Sequence, residues 1–167
     1  MRPSIYQVKQ LGAGQLSVMA KPVSGEYIED EFSAIAKEGI NLVVSLLEKH
    51  EEYSVGLSSE EELCNKNAIE FLSFPIPDRG LPESIRSFSA LTKDLYSQIN
   101  SGTNVVVHCR AGIGRTGIVS AGILLHSGMS SDAAFQLISE RRGVEVPDTE
   151  EQKAWVSSNY HEITTCT

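Results

Sequence analysis

Two short stretches of this 167-residue chain carry no charged residue: 40–47 (Ile-Asn-Leu-Val-Val-Ser-Leu-Leu) and 104–108 (Asn-Val-Val-Val-His). A strand that faces water on one side alternates apolar and polar residues, whereas a strand covered on both faces does not. Both runs are rich in β-branched residues and far too short to span a bilayer. They read as central strands of a sheet buried on both sides. Helical spacing surrounds them. Ile28, Phe32, Ile35 and Ala36 share one face and Gly39 ends that helix; Ile85, Phe88, Leu91, Leu95, Tyr96 and Ile99 define a longer one after Pro82. Further strands are expected at 16–20 and 69–74. Further helices are expected at 58–66, opened by a capping box from Ser58 to Glu61, at 117–126, at 130–142 and from Thr149 onward. Strands interleaved with helices predict one α/β domain over 1–167, with a central, mostly parallel sheet and helices on both faces. Such sheets bind ligands beyond the carboxyl ends of their strands. That rule singles out the segment after Val107.

Composition narrows the partners. Hydrophobic residues make up 41% of the chain, enough for a core, and 14 basic against 22 acidic residues leave a net charge of −8. A nucleic-acid partner needs a basic face and an anionic membrane surface needs a basic patch, so neither is expected. The first residues contain no apolar signal segment, no membrane anchor is expected, and a cytoplasmic setting follows. Three cysteines at irregular spacing, Cys64, Cys109 and Cys166, make no disulfide framework; a reducing compartment or a reactive thiol is favoured. His50, His108, His126 and His161 are scattered and there is no Cys-x-x-Cys, so no metal and no cofactor is expected.

Chemistry concentrates in His108-Cys109-Arg110-Ala111-Gly112-Ile113-Gly114-Arg115-Thr116-Gly117, between a buried strand and a helix. Gly112 and Gly114 let the backbone curl so that successive N–H groups point inward. With a helix N-terminus behind them they form a nest for an anion. Arg115 supplies a planar fork suited to phosphate oxygens. The same field favours a thiolate at Cys109. Three readings compete. One is a phosphatase loop, with Cys109, five residues, Arg115 and then a hydroxyl. Another is a dinucleotide fingerprint, Gly112-x-Gly114-x-x-Gly117 with Asp132 further on, but that acid should end a second strand, and 117–142 reads as helix, turn, helix. The third is a glycine-rich turn around a structural cysteine, which leaves Arg110 and Arg115 unexplained in so acidic a chain.

The loop resembles the signature of cysteine-dependent protein tyrosine and dual-specificity phosphatases. The likeness extends over 16–160, through the strand at 39–44, the Phe74-Pro75-Ile76-Pro77-Asp78 loop and the 142–152 segment. The length is similar to that of small dual-specificity members, without the pocket-deepening loop of larger tyrosine-specific enzymes. The resemblance implies Cys109 as nucleophile and Arg115 with the 110–114 backbone (Arg110, Ala111, Gly112, Ile113, Gly114) as phosphate binder. Asp78, on a proline-rich loop 31 residues before Cys109, would be the general acid, against a simple Asp-Arg-Gly turn. Thr116 would stabilise the departing thiolate, against an N-cap role. His108 would orient backbone around the thiol, against a plain core histidine. Gln152 would place the hydrolytic water, against a capping box with Thr149. Arg142 would be structural or touch substrate.

The expected reaction is hydrolysis of protein phosphomonoesters, phosphotyrosine and also phosphoserine and phosphothreonine, through a phosphocysteine. Three alternatives stay open. A phosphoinositide phosphatase uses the same loop; a phosphoprotein-binding pseudophosphatase would have lost Cys109, Arg115 or Asp78; a sulfurtransferase would need neither Asp78 nor Thr116.

Overall fold

The computed structural model describes residues 2–165; Cys166 lies outside the described residues. Five strands form one sheet in the order β1-β2-β5-β3-β4. They are β1 (Tyr6–Leu11), β2 (Gly14–Met19), β3 (Leu42–Ser45), β4 (Glu70–Ser73) and β5 (Val105–His108). The β2–β5, β5–β3 and β3–β4 pairs are parallel and only β1 runs antiparallel, against β2. The mostly parallel sheet is therefore as the sequence predicts. β1 was not expected. It is half-exposed, and its register skips at Val8, between Gln7 and Lys9. That bulge destroys the two-residue period by which an edge strand is read.

Helices cover both faces. One side holds α1 (Ile28–Lys37), α2 (Lys49–Ser54) and α3 (Glu60–Lys66). The other holds α4 (Ile85–Asn100), α5 (Gly114–Leu125), α6 (Ser131–Arg142), α7 (Glu150–Ser158) and α8 (Tyr160–Thr165). The pleat divides the central strands between two cores. Leu42, Val44, Val105 and Val107 pack with Phe88, Leu95, Ile99 and Ile118, while Val43 and Val106 pack with Phe32, Ile35, Leu47 and Leu63. Residues 42–47 and 105–108 are thus buried on both sides, where each Å² of apolar surface removed from water is worth about 25 cal/mol.

Two helix starts differ from expectation. α5 begins at Gly114, three residues before the predicted Gly117, and all twelve of its residues are buried. Arg115 and Thr116 look like loop residues in the sequence because they are polar; they sit inside because each has a polar partner there. The capping box expected from Ser58 to Glu61 does not form: Ser59 is the N-cap of α3, without a side-chain cap. Glu60 turns inward instead. The box expected at Thr149 and Gln152 does form, at the start of α7. α4 and α5 approach so closely that a Cβ on Gly122 would lie 2.7 Å from the Phe88 ring, which fixes glycine at that crossing.

Candidate active site

β5 is the middle strand, flanked by β2 and β3, so its carboxyl end opens between two neighbours. Cys109 is the first residue beyond it and is 3% exposed. The loop that follows is tied on three sides. Lys21 N–H donates to the Arg110 carbonyl (3.1 Å), and Leu46 N–H donates to the His108 carbonyl (3.0 Å). Arg142 Nη2 donates to the Ala111 carbonyl (2.9 Å), while its guanidinium lies 4.5 Å above the centre of the Tyr6 ring. Gly112 has φ +74°, and a Cβ there would meet the Met19 carbonyl oxygen at 2.6 Å, so only glycine lets the loop curl against β2. Gly114 is the first residue of α5. Ile113 caps the helix with no side-chain acceptor, leaving its N-terminal amides free for an anion.

Arg115 is brought back over the loop and held hard. Its Nη1 and Nη2 donate to Glu51 Oε1 and Oε2 at 2.6 and 3.0 Å, a two-pronged pair buried on both sides. Nη1 also donates to the Ile76 carbonyl (2.9 Å) and Nη2 to Asp78 Oδ1 (3.1 Å). Burial pushes the Glu51 carboxyl up, but the hydrogen bonds from Arg115 and its charge pull it further down, below the usual carboxylate range. Burial likewise works against the Arg115 cation, and Glu51, Cys109 and Asp78 together outweigh it, so its pKa ends up raised. Glu51 is the residue that the sequence reading missed. The signal was present: it follows β3 by a few residues, at the same carboxyl edge as Cys109, and a buried arginine needs a buried carboxylate.

Thr116 does not cap α5. It sits within the first turn, and its Oγ1 donates to Cys109 Sγ at 3.0 Å. His108 is fully buried, with Nδ1 3.1 Å from the Cys109 carbonyl and Nε2 2.6 Å from Glu60 Oε2. A carbonyl oxygen only accepts, so Nδ1 carries the proton there. The ring therefore fixes the Cys109 peptide and does not reach the sulfur through a hydrogen bond. Cys64, by contrast, is buried in the opposite core and burial, together with Glu60 and Glu61, pushes its thiol up to about 12.

Asp78 comes from the opposite wall. Ile76 N–H donates to the Leu46 carbonyl (3.0 Å), which pins the segment to the end of β3, and Gly80 N–H donates to the Pro77 carbonyl (2.8 Å), which closes a turn. The segment is a turn, and that turn sets Asp78 beside Arg115. Asp78, Arg79, Cys109, Arg110, Ala111, Ile113, Gly114, Arg115 and Asp148 line a cavity of about 170 Å³. Arg79 Nε lies 3.5 Å from Asp148 Oδ2 and Arg110 Nη2 lies 3.7 Å from Glu51 Oε2. Gln152 is buried below the rim, bonded to Asp148, Thr149 and Gly80. Of the expected residues, Asp78, Cys109, Arg110, Ala111, Ile113, Gly114 and Arg115 line this one cavity, and Gly112, Thr116, His108 and Gln152 lie behind its wall. Among the described residues no group of three or more His, Cys, Asp or Glu is placed to hold a metal ion, and no helix is long and apolar enough to cross a membrane.

A cysteine at the end of a central parallel strand, with the arginine of the next helix folded back above it, defines the class of cysteine-loop phosphatase domains. The comparisons agree. The model of a polymorphic toxin system DSP-PTPase phosphatase family matches residues 17–129, and the chain belongs to that family of cysteine-dependent phosphatases. It is 34% identical over 79 residues to Dual specificity protein phosphatase 2 of Mus musculus, covering 47% of this chain and 25% of that one. It is 32% identical over 81 residues to the phosphatidylinositol 3,4,5-trisphosphate 3-phosphatase and protein-tyrosine-phosphatase PTEN1 of Arabidopsis thaliana, covering 44% of this chain and 19% of that one. The matched stretches therefore span a quarter or less of those two relatives. The solved kinase associated phosphatase has the same fold, with a TM-score of 0.84 at 19% identity over 97% of this chain and 94% of that one.

Proposed function

We propose that the chain hydrolyses phosphomonoesters of proteins through a phosphocysteine. The observation that carries this reading is the pairing of Cys109 Sγ with Thr116 Oγ1 at 3.0 Å, beside an Arg115 whose fork is fixed by Glu51. A phosphoryl group seated on the loop has its charge met by the amides and the guanidinium, which offsets the repulsion that makes such esters inert. Cys109 sulfur attacks phosphorus; the S–P bond forms as the ester P–O bond breaks, and Asp78 gives its proton to the leaving oxygen. Water, losing a proton to the Asp78 carboxylate, then breaks the S–P bond and releases inorganic phosphate. The Thr116 hydroxyl, donating to sulfur, stabilises the thiolate that departs.

The family and the relatives support phosphate ester hydrolysis, and the rim charges bear on the substrate. Of the two cations exposed at the cavity mouth, Arg79 is paired with Asp148, while Arg110 lies 3.7 Å from a Glu51 carboxylate that Arg115 already holds. Among the described residues Arg110 is then the one rim cation without a carboxylate of its own, little charge for a polyphosphorylated head group, which favours a single phosphate on a protein. The PTEN1 relative motivates phosphoinositides as the second reading. Turnover of p-nitrophenyl phosphate, insensitive to chelator and abolished in Cys109→Ser, tests the reaction. Full activity in Cys109→Ser would overturn it. Asp78→Ala is expected to lower turnover about 10²–10⁴-fold on substrates with poor leaving groups and to flatten the acid-dependent limb of the pH profile. Phosphopeptide and phosphoinositide panels, run side by side, decide the substrate.

A further inference from the structure

We infer that Gln152 is a positioning residue that latches the turn carrying Asp78 over the Cys109 loop, and does not orient the attacking water. This rests on Asp78 being the proton donor. Gln152 is fully buried and its amide is committed. Oε1 accepts from Asp148 N–H and Thr149 N–H, each at 3.2 Å, and Nε2 donates to the Gly80 carbonyl at 3.1 Å. The oxygen has two lone pairs and both are in use. To hold a nucleophilic water with its own lone pair toward phosphorus, the side chain must accept a hydrogen from that water, and Oε1 has no capacity left.

What the amide does instead is join three pieces. Gly80 closes the 77–80 turn, so fixing its carbonyl fixes Asp78 two residues earlier. The amide also lies directly against the start of the arginine-bearing helix: a Cβ on Gly114 would be 3.0 Å from Oε1 and 3.1 Å from Nε2. The third piece is the N-terminus of α7, through Asp148 and Thr149. Arg79 and Asp148 repeat the bridge between the same two segments on the solvent side, at 3.5 Å. A carboxyl that must meet a leaving oxygen gains much of its effect from being held at the right distance, and a 1 Å misplacement costs about 10²-fold.

The test uses the full chain and a series of aryl phosphates from p-nitrophenyl to phenyl. Gln152→Glu keeps two accepting oxygens at the third helical position, so the cap survives, but loses the donor to Gly80. Gln152→Leu removes the bond without adding charge. Both are expected to steepen the dependence of kcat/KM on leaving-group acidity, with the loss on phenyl phosphate at least about tenfold larger than on p-nitrophenyl phosphate. Combined with Asp78→Ala, neither should lower phenyl phosphate turnover further, because the donor is already gone. Build-up of phosphocysteine with an unchanged leaving-group dependence would overturn the inference in favour of a water-orienting role. An equal loss on every substrate that tracks a lowered Tm would overturn it in favour of a purely structural one. If Asp78→Ala itself leaves the leaving-group dependence unchanged, the acid assignment fails first and the latch with it.

Discussion

Thr116 shows how one hydroxyl changes meaning with a small shift in helix start. Placed before the helix it would cap it; placed inside the first turn it donates to Cys109 Sγ at 3.0 Å. A hydrogen bond to a charged group is worth about 1.5–3 kcal/mol. Thr116→Ala is therefore expected to slow the step that expels the thiolate by about 10–100-fold. Rapid-quench trapping of phosphocysteine should show the intermediate accumulating in the variant, and a variant that slows only the first step contradicts this role. Cys64 is the contrast at the same scale. Its thiol is buried and pushed up to about 12, and no cation stabilises the anion. Burial alone makes a thiol inert; a fixed positive field makes it useful.

At the scale of elements, the site is held by what surrounds the loop and not by the loop alone. Gly112 touches β2, Ala111 is bonded by the end of α6, and Gly114 packs under α7. Gly112→Ala is expected to cost at least about 1–2 kcal/mol, since φ is +74° and the added carbon meets the Met19 carbonyl at 2.6 Å. Activity should fall by more than stability explains if the displaced amides form the proposed anion nest. Urea unfolding together with phosphate or vanadate affinity measures both; full affinity in the variant would show that the loop curls without glycine. The elements themselves were largely legible. The long apolar face of α4 and the uncharged β3 and β5 are read from periodicity. β1 escaped because of its bulge, and the 58–61 box failed because Glu60 has a buried histidine to meet. A local capping pattern lost to a long-range hydrogen bond, which no window of neighbouring residues reveals.

At the scale of the whole molecule, α2 on one face of the sheet and α5 on the other are tied through the Glu51–Arg115 pair, and that bond has a pH signature. Glu51 has a depressed pKa in the folded state, so the unfolded chain takes up the proton first as pH falls. Stability from this group is fully present above the ordinary carboxylate range, about 4.3, and is lost as pH drops through the depressed value. Glu51→Gln is expected to be less stable than the parent at pH 7, with the gap narrowing below about pH 4. Chemical denaturation across pH 3–8 checks it, and a gap that stays constant with pH sinks the coupling. Glu51→Ala, which strands the Arg115 charge, should cost about 3–5 kcal/mol. By itself the sequence determined the α/β alternation, the central strands, and the loop and proline-rich segment that carry Cys109, Arg115 and Asp78. All of these are set by local period or by residue types within one short loop. Only the tertiary structure decided that Glu51 clamps Arg115, that Glu60 meets His108, and that Gln152 spans three segments. Those contacts join residues 48 to 72 positions apart, or lie behind a cavity wall, and pairing at such distances is chosen by how the layers pack.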